Sequence, residues 1–252
     1  MNLVKKFRSH LKIFFINGVL VLLVIIFITP SYAGVFSVTP VRIYMAPKDR
    51  AVAVTITNEG DTELVMQADL YLWKQKPDGQ DDLTLTDDMF LAPPIIKMAP
   101  KSRQVVRLAR LNPARSSEQL TYRLIVREIP EAKPEKKDLQ LQIALAFSMP
   151  VFITPSGAKA QLNCTADRVS QDSISAVCEN TGSAYSHPTS IQLNGSAGNK
   201  LASNDVGGYI LPHIKRSFYI KSEGAPIAAG TSKLAVTFDD GTTETYTISL
   251  EN

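Results

Sequence analysis

Cysteine and histidine, two residues that often act in catalysis, are scarce in this chain. It has two cysteines and three histidines in 252 residues, and none stands in a spacing that would ligate a metal or activate a nucleophile. There is no Gly-rich phosphate loop and no Gly-x-Ser-x-Gly elbow. Paired acids at positions 81–82 and 87–88 flank a short strand, where solvated turn carboxylates are expected rather than a glycosidase pair or a Ca²⁺ site. The sequence therefore predicts no enzyme activity, no metal and no cofactor.

The N-terminal residues have the pattern of a secretory signal. Four basic residues precede an apolar run over residues 13–28, and small residues stand at Ser31 and Ala33. This arrangement predicts a signal peptide over residues 1–33, cleaved before Gly34. The alternative is an uncleaved membrane anchor, because the run is long for a signal peptide and slightly short for a spanning helix.

The formal charge gives no reason to expect a nucleic-acid partner. Residues 1–33 contain four Lys/Arg and no Asp/Glu, so the net charge changes from +3 to −1 when they are removed. The apparent basicity belongs to the signal segment, and nucleic-acid binding is not predicted.

Both cysteines, Cys164 and Cys178, lie in the secreted part of the chain. A disulfide between them is expected in an oxidising compartment. The loop that it closes is short, so the cross-link would stabilise the fold by about 3 kcal/mol in the chain-entropy model.

Short segments of alternating apolar and polar residues, separated by turn signals, run through the rest of the chain. This pattern predicts an all-β protein. About seven such segments precede Thr154-Pro-Ser-Gly157, where turn residues mark a boundary. We therefore predict an immunoglobulin-like domain over residues 34–153 and a smaller β-sandwich over residues 154–252 that contains the disulfide. For the Pro93-Pro94 pair a trans loop between strands is expected, and the alternative is a cis bond at one of the two prolines.

One stretch departs from the ordinary pattern of an edge strand. From Leu139 to Met149 a large apolar residue occupies every second position, while the intervening residues are glutamine, alanine and serine. Edge strands are usually kept short or interrupted by charge so that they do not recruit other chains. This apolar face either fills the protein's own core or is offered to a partner.

The order and spacing of six motifs in the first half resemble the periplasmic chaperones of chaperone–usher pilus assembly, and in particular their archaic branch. The motifs are Phe36-Ser-Val-Thr-Pro-Val-Arg-Ile-Tyr44, Thr55-Ile-Thr-Asn58, Leu91-Ala-Pro-Pro94, Gln104-Val-Val-Arg-Leu108 after an Ala-Pro pair, Tyr122-Arg-Leu-Ile-Val-Arg-Glu-Ile-Pro130 and Leu145-Ala-Phe-Ser-Met-Pro-Val-Phe152. The resemblance implies two immunoglobulin-like domains arranged as an L.

The resemblance also implies a role for the alternating strand. In this family the chaperone lends a strand to an incomplete pilus subunit, which is a form of β-augmentation. The side chains inserted into the subunit would be those of Leu139, Leu141, Ile143 and Leu145. The next two apolar residues, Phe147 and Met149, are expected to pack in the chaperone's own core.

The resemblance implies only one of the two basic residues with which the family binds a carboxylate. Family members hold the subunit's terminal carboxylate with two basic residues, of which one matches Arg42 and the other falls where this sequence has Pro150. Arg42 would then work with Arg123 or Arg127 on an adjoining strand, or the carboxylate would be held elsewhere. A guanidinium suits this task because it donates two parallel hydrogen bonds to a carboxylate.

The sequence thus predicts a non-enzymatic periplasmic chaperone. Its partners would be pilus subunits and an outer-membrane usher, and self-association of the free protein would cover the apolar strand. The alternative is a secreted β-sandwich adhesin or structural pilus component. That alternative fits less well, because a subunit would be one incomplete domain with an N-terminal donor extension.

Overall fold

The computed structural model describes residues 36–110, 112, 116–130, 143–222, 224 and 226–251. The regular structure in these segments consists of β-strands, as the sequence predicts. No helix in this part of the chain is long and apolar enough to cross a membrane. The predicted signal peptide and its cleavage site lie outside the described residues.

Ten strands build a first β-sandwich. They are β1 (Phe36–Thr39), β2 (Ile43–Met45), β3 (Ala51–Asn58), β4 (Leu64–Gln75), β5 (Asp81–Leu85), β6 (Met89–Ala92), β7 (Ile95–Met98), β8 (Arg103–Arg110), β9 (Leu120–Glu128) and β10 (Ala146–Ile153). One sheet has the order β1-β3-β8-β6, and the other has the order β2-β10-β9-β4-β5 with β7 also paired to β4.

The alternating side chains of these two sheets meet in one hydrophobic core. Val54 and Ile56 from β3, Leu124 and Val126 from β9, and Val151 from β10 are fully buried there. This packing follows from the period of two along each strand, which places every second residue on the inner face.

The first alternating segment is divided between the two sheets. The sequence predicts one strand from Phe36 to Tyr44, but β1 pairs antiparallel with β3 whereas β2 pairs parallel with β10. The Thr39–Pro40 bond between them is cis, and so is Ala92–Pro93. At Pro93 the structure therefore has the cis alternative and not the expected trans bond. Cis is accessible there because an X-Pro bond is a tertiary amide.

The start of β10 also differs from the sequence prediction. An alternating strand is predicted from Leu139 onward, but residues 143–145 have no regular strand structure and β10 begins at Ala146. The last bond to the neighbouring strand runs from the N–H of Glu128 to the carbonyl of Leu145. β9 ends at Glu128, and Pro130 soon after it has no N–H to donate, so the regular pairing stops there.

Seven strands build a second β-sandwich. They are β11 (Leu162–Ser170), β12 (Ser173–Asn180), β13 (Pro188–Asn194), β14 (Lys200–Asp205), β15 (Lys215–Lys221), β16 (Gly230–Phe238) and β17 (Thr243–Leu250). One sheet has the order β11-β12-β15, and the other has the order β14-β13-β16-β17. Cys164 and Cys178 lie directly opposite each other on β11 and β12 and form the predicted disulfide.

A small apolar cluster, which we call the junction cluster, joins the two sandwiches. Trp73 from β4 and Phe152 from β10 are buried against Leu211 of the second sandwich. The Phe152 ring stacks on Tyr185, with ring centroids 4.1 Å apart. Beside this cluster, the amide of Gln75 donates to the carbonyl of Tyr209 and its oxygen accepts from the N–H of Leu211.

Candidate functional site

One edge of β10 is open over the first five of its eight residues. β9 pairs with the whole strand from Ala146 to Ile153. On the other side, β2 pairs only with the last three residues, Val151 to Ile153. Among the described residues no strand covers this side of Ala146–Pro150, so its backbone groups are available to an added strand.

The apolar residues that lead into this edge pass from exposed to buried. Ile143 is 67% exposed, Leu145 37% and Phe147 36%, whereas Met149 is 2% exposed and belongs to the first core. The ring of Phe147 packs edge-on against Phe36 at 4.9 Å. Met149 thus packs in the protein's own core, whereas Phe147 contacts the core residue Phe36 but stays exposed. Ile143 and Leu145 present their side chains to solvent.

Two of the four predicted donor residues cannot be placed. Leu139 and Leu141 lie outside the described residues. Ile143 and Leu145 are the first described residues of the apolar series, and both are exposed. Insertion of the four side chains into a partner therefore stays a prediction.

Arg42 stands at the end of the open edge. It directly precedes Ile43, the β2 residue that lies opposite Val151. Its guanidinium forms an ion pair with the carboxylate of Asp239, from the turn between β16 and β17 of the second sandwich. The hydrogen bond to Asp239 raises the pKa of Arg42 above its ordinary value.

The imidazole of His187 lies close to the Asp239 carboxylate oxygen that pairs with Arg42. Its Nδ1 lies 3.3 Å from Oδ2 of Asp239, but this buried nitrogen makes no hydrogen bond of good geometry. Burial would raise the pKa of Asp239, yet the contacts with Arg42 and His187 outweigh it and hold the pKa below its usual value.

Aromatic rings surround this charged group. The hydroxyls of Tyr44 and Tyr185 are 2.7 Å apart and hydrogen-bonded. The imidazole of His187 stacks on Tyr209, with ring centroids 4.2 Å apart. Burial, followed by the contact with Tyr44, raises the pKa of Tyr185 above its ordinary value, so this hydroxyl stays protonated and able to donate.

The other two predicted basic residues are already engaged within the chain. Arg123 lies over the Trp73 ring and is 3.4 Å from the carboxylate of Asp81. Arg127 donates to Asp69 at 2.5 Å and to the Tyr71 hydroxyl at 3.1 Å. The structure therefore does not bring either guanidinium into contact with Arg42.

Sequence reasoning missed the contribution of the second sandwich to this site. Tyr185, His187 and Asp239 all come from that sandwich, and none carries a recognisable motif. A hairpin is predicted at Asp239, but the turn signal contains no information about which residue of the first sandwich lies opposite. Within the described part of the chain, no group of three or more His, Cys, Asp or Glu residues is arranged to hold a metal.

The fold and the open edge together define a class of protein: paired immunoglobulin-like sandwiches of the pilus-chaperone type. Residues 35–159 match the family model described as pili and flagellar-assembly chaperone, PapD N-terminal domain. The chain therefore belongs to this family of assembly chaperones through its first sandwich.

Solved structures with the same fold cover nearly all of the described chain. A chain of the CsuC–CsuE chaperone–tip adhesion subunit complex, from the archaic Csu pili of Acinetobacter baumannii, is 19% identical with a TM-score of 0.62 and covers 86% of this chain and 100% of its own. The Escherichia coli chaperone DraB is 16% identical with a TM-score of 0.56, covering 88% and 99%. The Pseudomonas aeruginosa chaperone CupB2 is 18% identical with a TM-score of 0.54, covering 85% and 100%. No curated protein sequence matches the chain.

Proposed function

We propose that this protein is a periplasmic chaperone that binds pilus subunits by donor-strand complementation and delivers them to an outer-membrane usher. The observation that carries the proposal is the open edge of β10 at Ala146–Pro150, preceded by the exposed side chains of Ile143 and Leu145. A subunit that lacks one strand would pair with this edge.

Two kinds of interaction would hold the subunit. Main-chain hydrogen bonds along the edge give affinity for any extended chain, and alternate side chains give specificity for the open core. Each large apolar side chain that becomes fully buried contributes about 1.5–3 kcal/mol. In the sequence, Leu139 and Leu141 continue the alternating apolar series toward the N-terminus, so four side chains would enter the subunit.

The position of Arg42 supports a defined direction for the added strand. β2 runs parallel to β10 on the same side that the subunit would occupy. A subunit strand that also runs parallel to β10 would end where β2 begins. Its terminal carboxylate would then reach Arg42, and a guanidinium is well suited to receive it.

The remaining features of the proposal follow the family. The solved structures include a chaperone–tip adhesion subunit complex and a complex of the Salmonella enterica SafA pilin with the SafB chaperone, which supports pilus subunits as partners here. We place the protein in the periplasm, with its signal peptide removed before Gly34, and we assign it no enzyme activity. Membership of the archaic branch and self-association of the free protein stay predictions.

The test is co-purification from a periplasmic extract with the subunit of the same assembly system. Wild type is compared with the double variant Leu141→Asp/Ile143→Asp. The control is Val169→Asp, which places one such carboxylate at a residue of the second sandwich that is 58% exposed. Circular dichroism first establishes that each variant is folded.

We expect the subunit to be recovered with wild type and with Val169→Asp, but not with the folded double variant. The proposal is wrong if the folded double variant retains the subunit as well as wild type does, because the apolar strand would then play no part in binding. It is equally wrong if wild type recovers no secreted subunit.

A further inference from the structure

The guanidinium proposed to receive a subunit carboxylate already holds one. The carboxylate of Asp239 is ion-paired to Arg42, and the two residues are 197 positions apart in the sequence. The side chain of Asp239 is 22% exposed and that of Arg42 is 34% exposed. The ion pair is therefore partly accessible to an incoming group.

A ring nitrogen of His187 faces the same carboxylate without a hydrogen bond of its own. Nδ1 of His187 is buried and has no hydrogen-bond partner, although it lies 3.3 Å from Oδ2 of Asp239. A buried polar atom left without a partner costs free energy. A carboxylate placed slightly differently from that of Asp239 would bond to both Arg42 and His187.

The backbone around Asp239 does not depend on its side chain. The N–H of Asp239 donates to the carbonyl of His187 at 3.1 Å, and the N–H of Phe238 donates to the carbonyl of Thr242 at 2.9 Å. These bonds hold the β16–β17 turn in place. The Asp239 side chain can therefore leave Arg42 while the turn keeps its structure.

We propose that Asp239 occupies the carboxylate site of Arg42 in the free protein, and that a ligand's terminal carboxylate displaces it and takes Arg42 and His187 as its two donors. This inference rests on the proposed function. It assigns to His187 the role of the second basic residue, which falls at Pro150 in this sequence. Two carboxylates at one guanidinium repel each other, so binding of the ligand requires Asp239 to move away. Asp239 thereby lowers the apparent affinity of every carboxylate ligand by the same factor, so a ligand needs further contacts to bind tightly.

The test uses acetate as the probe and the mature chain as the protein. Acetate is titrated at constant ionic strength, and binding is followed through the amide NMR signals of Tyr185 and His187. The variants are Asp239→Asn and, as the matched control on the same turn, Asp240→Asn, whose carboxylate bonds to Thr242. Thermal unfolding establishes that each is folded, and Asp239→Ala replaces Asp239→Asn if the latter is not.

We expect Asp239→Asn to bind acetate about tenfold more tightly than wild type, which is the scale of one hydrogen bond to a charged group. Asp240→Asn should match wild type. Adding Arg42→Met to Asp239→Asn should abolish saturable binding. Equal affinity of Asp239→Asn and wild type, or binding that survives Arg42→Met, would overturn the proposal.

The role of His187 is tested in the Asp239→Asn background. His187→Phe keeps a ring that stacks on Tyr209 but removes the donor, whereas His187→Asn keeps a donor close to the position of Nδ1. We expect only His187→Phe to weaken acetate binding. If His187→Asn weakens binding and His187→Phe does not, His187 supports the site by packing, and its assignment as a donor is wrong.

The outcome is separable from that of the proposed function. The Leu141→Asp/Ile143→Asp comparison does not involve Asp239. If the subunit co-purifies as expected while Asp239→Asn leaves acetate binding unchanged, only the displacement of Asp239 is refuted. If the subunit never co-purifies but Asp239→Asn binds acetate tightly, the carboxylate site stands and the chaperone function does not.

Discussion

The guanidinium carbon of Arg123 lies 3.7 Å from the centre of the Trp73 ring. Trp73 is buried in the junction cluster, so this contact places a cation against the apolar group that joins the two sandwiches. Burial lowers the pKa of Arg123, while the neighbouring Asp81 opposes that effect. Arg123 is therefore held between an aromatic face and a carboxylate of its own chain.

We expect Arg123→Gln to lower the free energy of unfolding by about 0.5–2 kcal/mol, because a partly desolvated cation–π contact is lost. Urea denaturation measures the change, and Arg107→Gln on the exposed face of β8 is the control. We also expect the folded variant to keep its subunit. Loss of the subunit at unchanged stability would instead assign Arg123 to the carboxylate site.

Phe152→Ala should destabilise the protein far more than truncation of an exposed ring. Phe152 is fully buried, and its ring contacts Tyr44, Trp73 and Tyr185. Removal of a buried Phe costs about 3–5 kcal/mol. Urea denaturation of Phe152→Ala and of Phe90→Ala, which truncates a half-exposed ring, provides the comparison. Similar losses for the two variants would contradict the assigned role of the junction cluster.

Removal of the disulfide should weaken the second sandwich. Cys164 and Cys178 close a loop with a sequence separation of 14, for which the chain-entropy model gives about 3 kcal/mol. We expect Cys164→Ala/Cys178→Ala to lower the free energy of unfolding by about that amount. The same loss should appear when wild type is unfolded in excess dithiothreitol, and no loss under either condition would refute the prediction.

The Arg42–Asp239 ion pair should make stability depend on pH in the acid range. The pKa of Asp239 is lower in the folded protein than its ordinary value, so the unfolded chain binds a proton at higher pH than the folded chain does. The stabilisation is then complete above the ordinary pKa of about 4 and is lost as pH falls through the folded pKa. Asp239→Asn removes this contribution.

The measurement is the free energy of unfolding of wild type and Asp239→Asn between about pH 6 and pH 3. We expect the difference between them to be constant above the ordinary pKa and to shrink below it. The exposed Asp82→Asn on β5 is the control. A difference that stays constant down to pH 3 would show that Asp239 titrates as an ordinary carboxyl.

Much of the fold could be predicted from the sequence because it depends on local patterns. The alternation along β3, β9 and β12 and the turn residues between strands predict an all-β protein, and the two cysteines predict their own disulfide. Two strands, β6 and β14, were not predicted from the sequence. β14 (Lys200–Asp205) is polar along most of its length, so no apolar alternation marks it.

The candidate site was predicted only where it is local. Arg42 and the apolar series before Pro150 are visible in the sequence because each stands in a motif. The contact of Arg42 with Asp239 is not visible, because it depends on how the second sandwich packs against the junction cluster. The same holds for His187, whose neighbours in the sequence are not its neighbours in the structure.

The parallel pairing of β2 with only the last three residues of β10 has a consequence for selectivity. The open edge is closed at one end by the protein's own backbone, so a guest strand bound in the proposed parallel direction would have room to stop there and no room to continue past it. The edge would then distinguish guests by where their chain terminates, not only by their side chains. Extra residues appended after the last strand of a guest would collide with β2, even if every apolar contact along the edge were preserved.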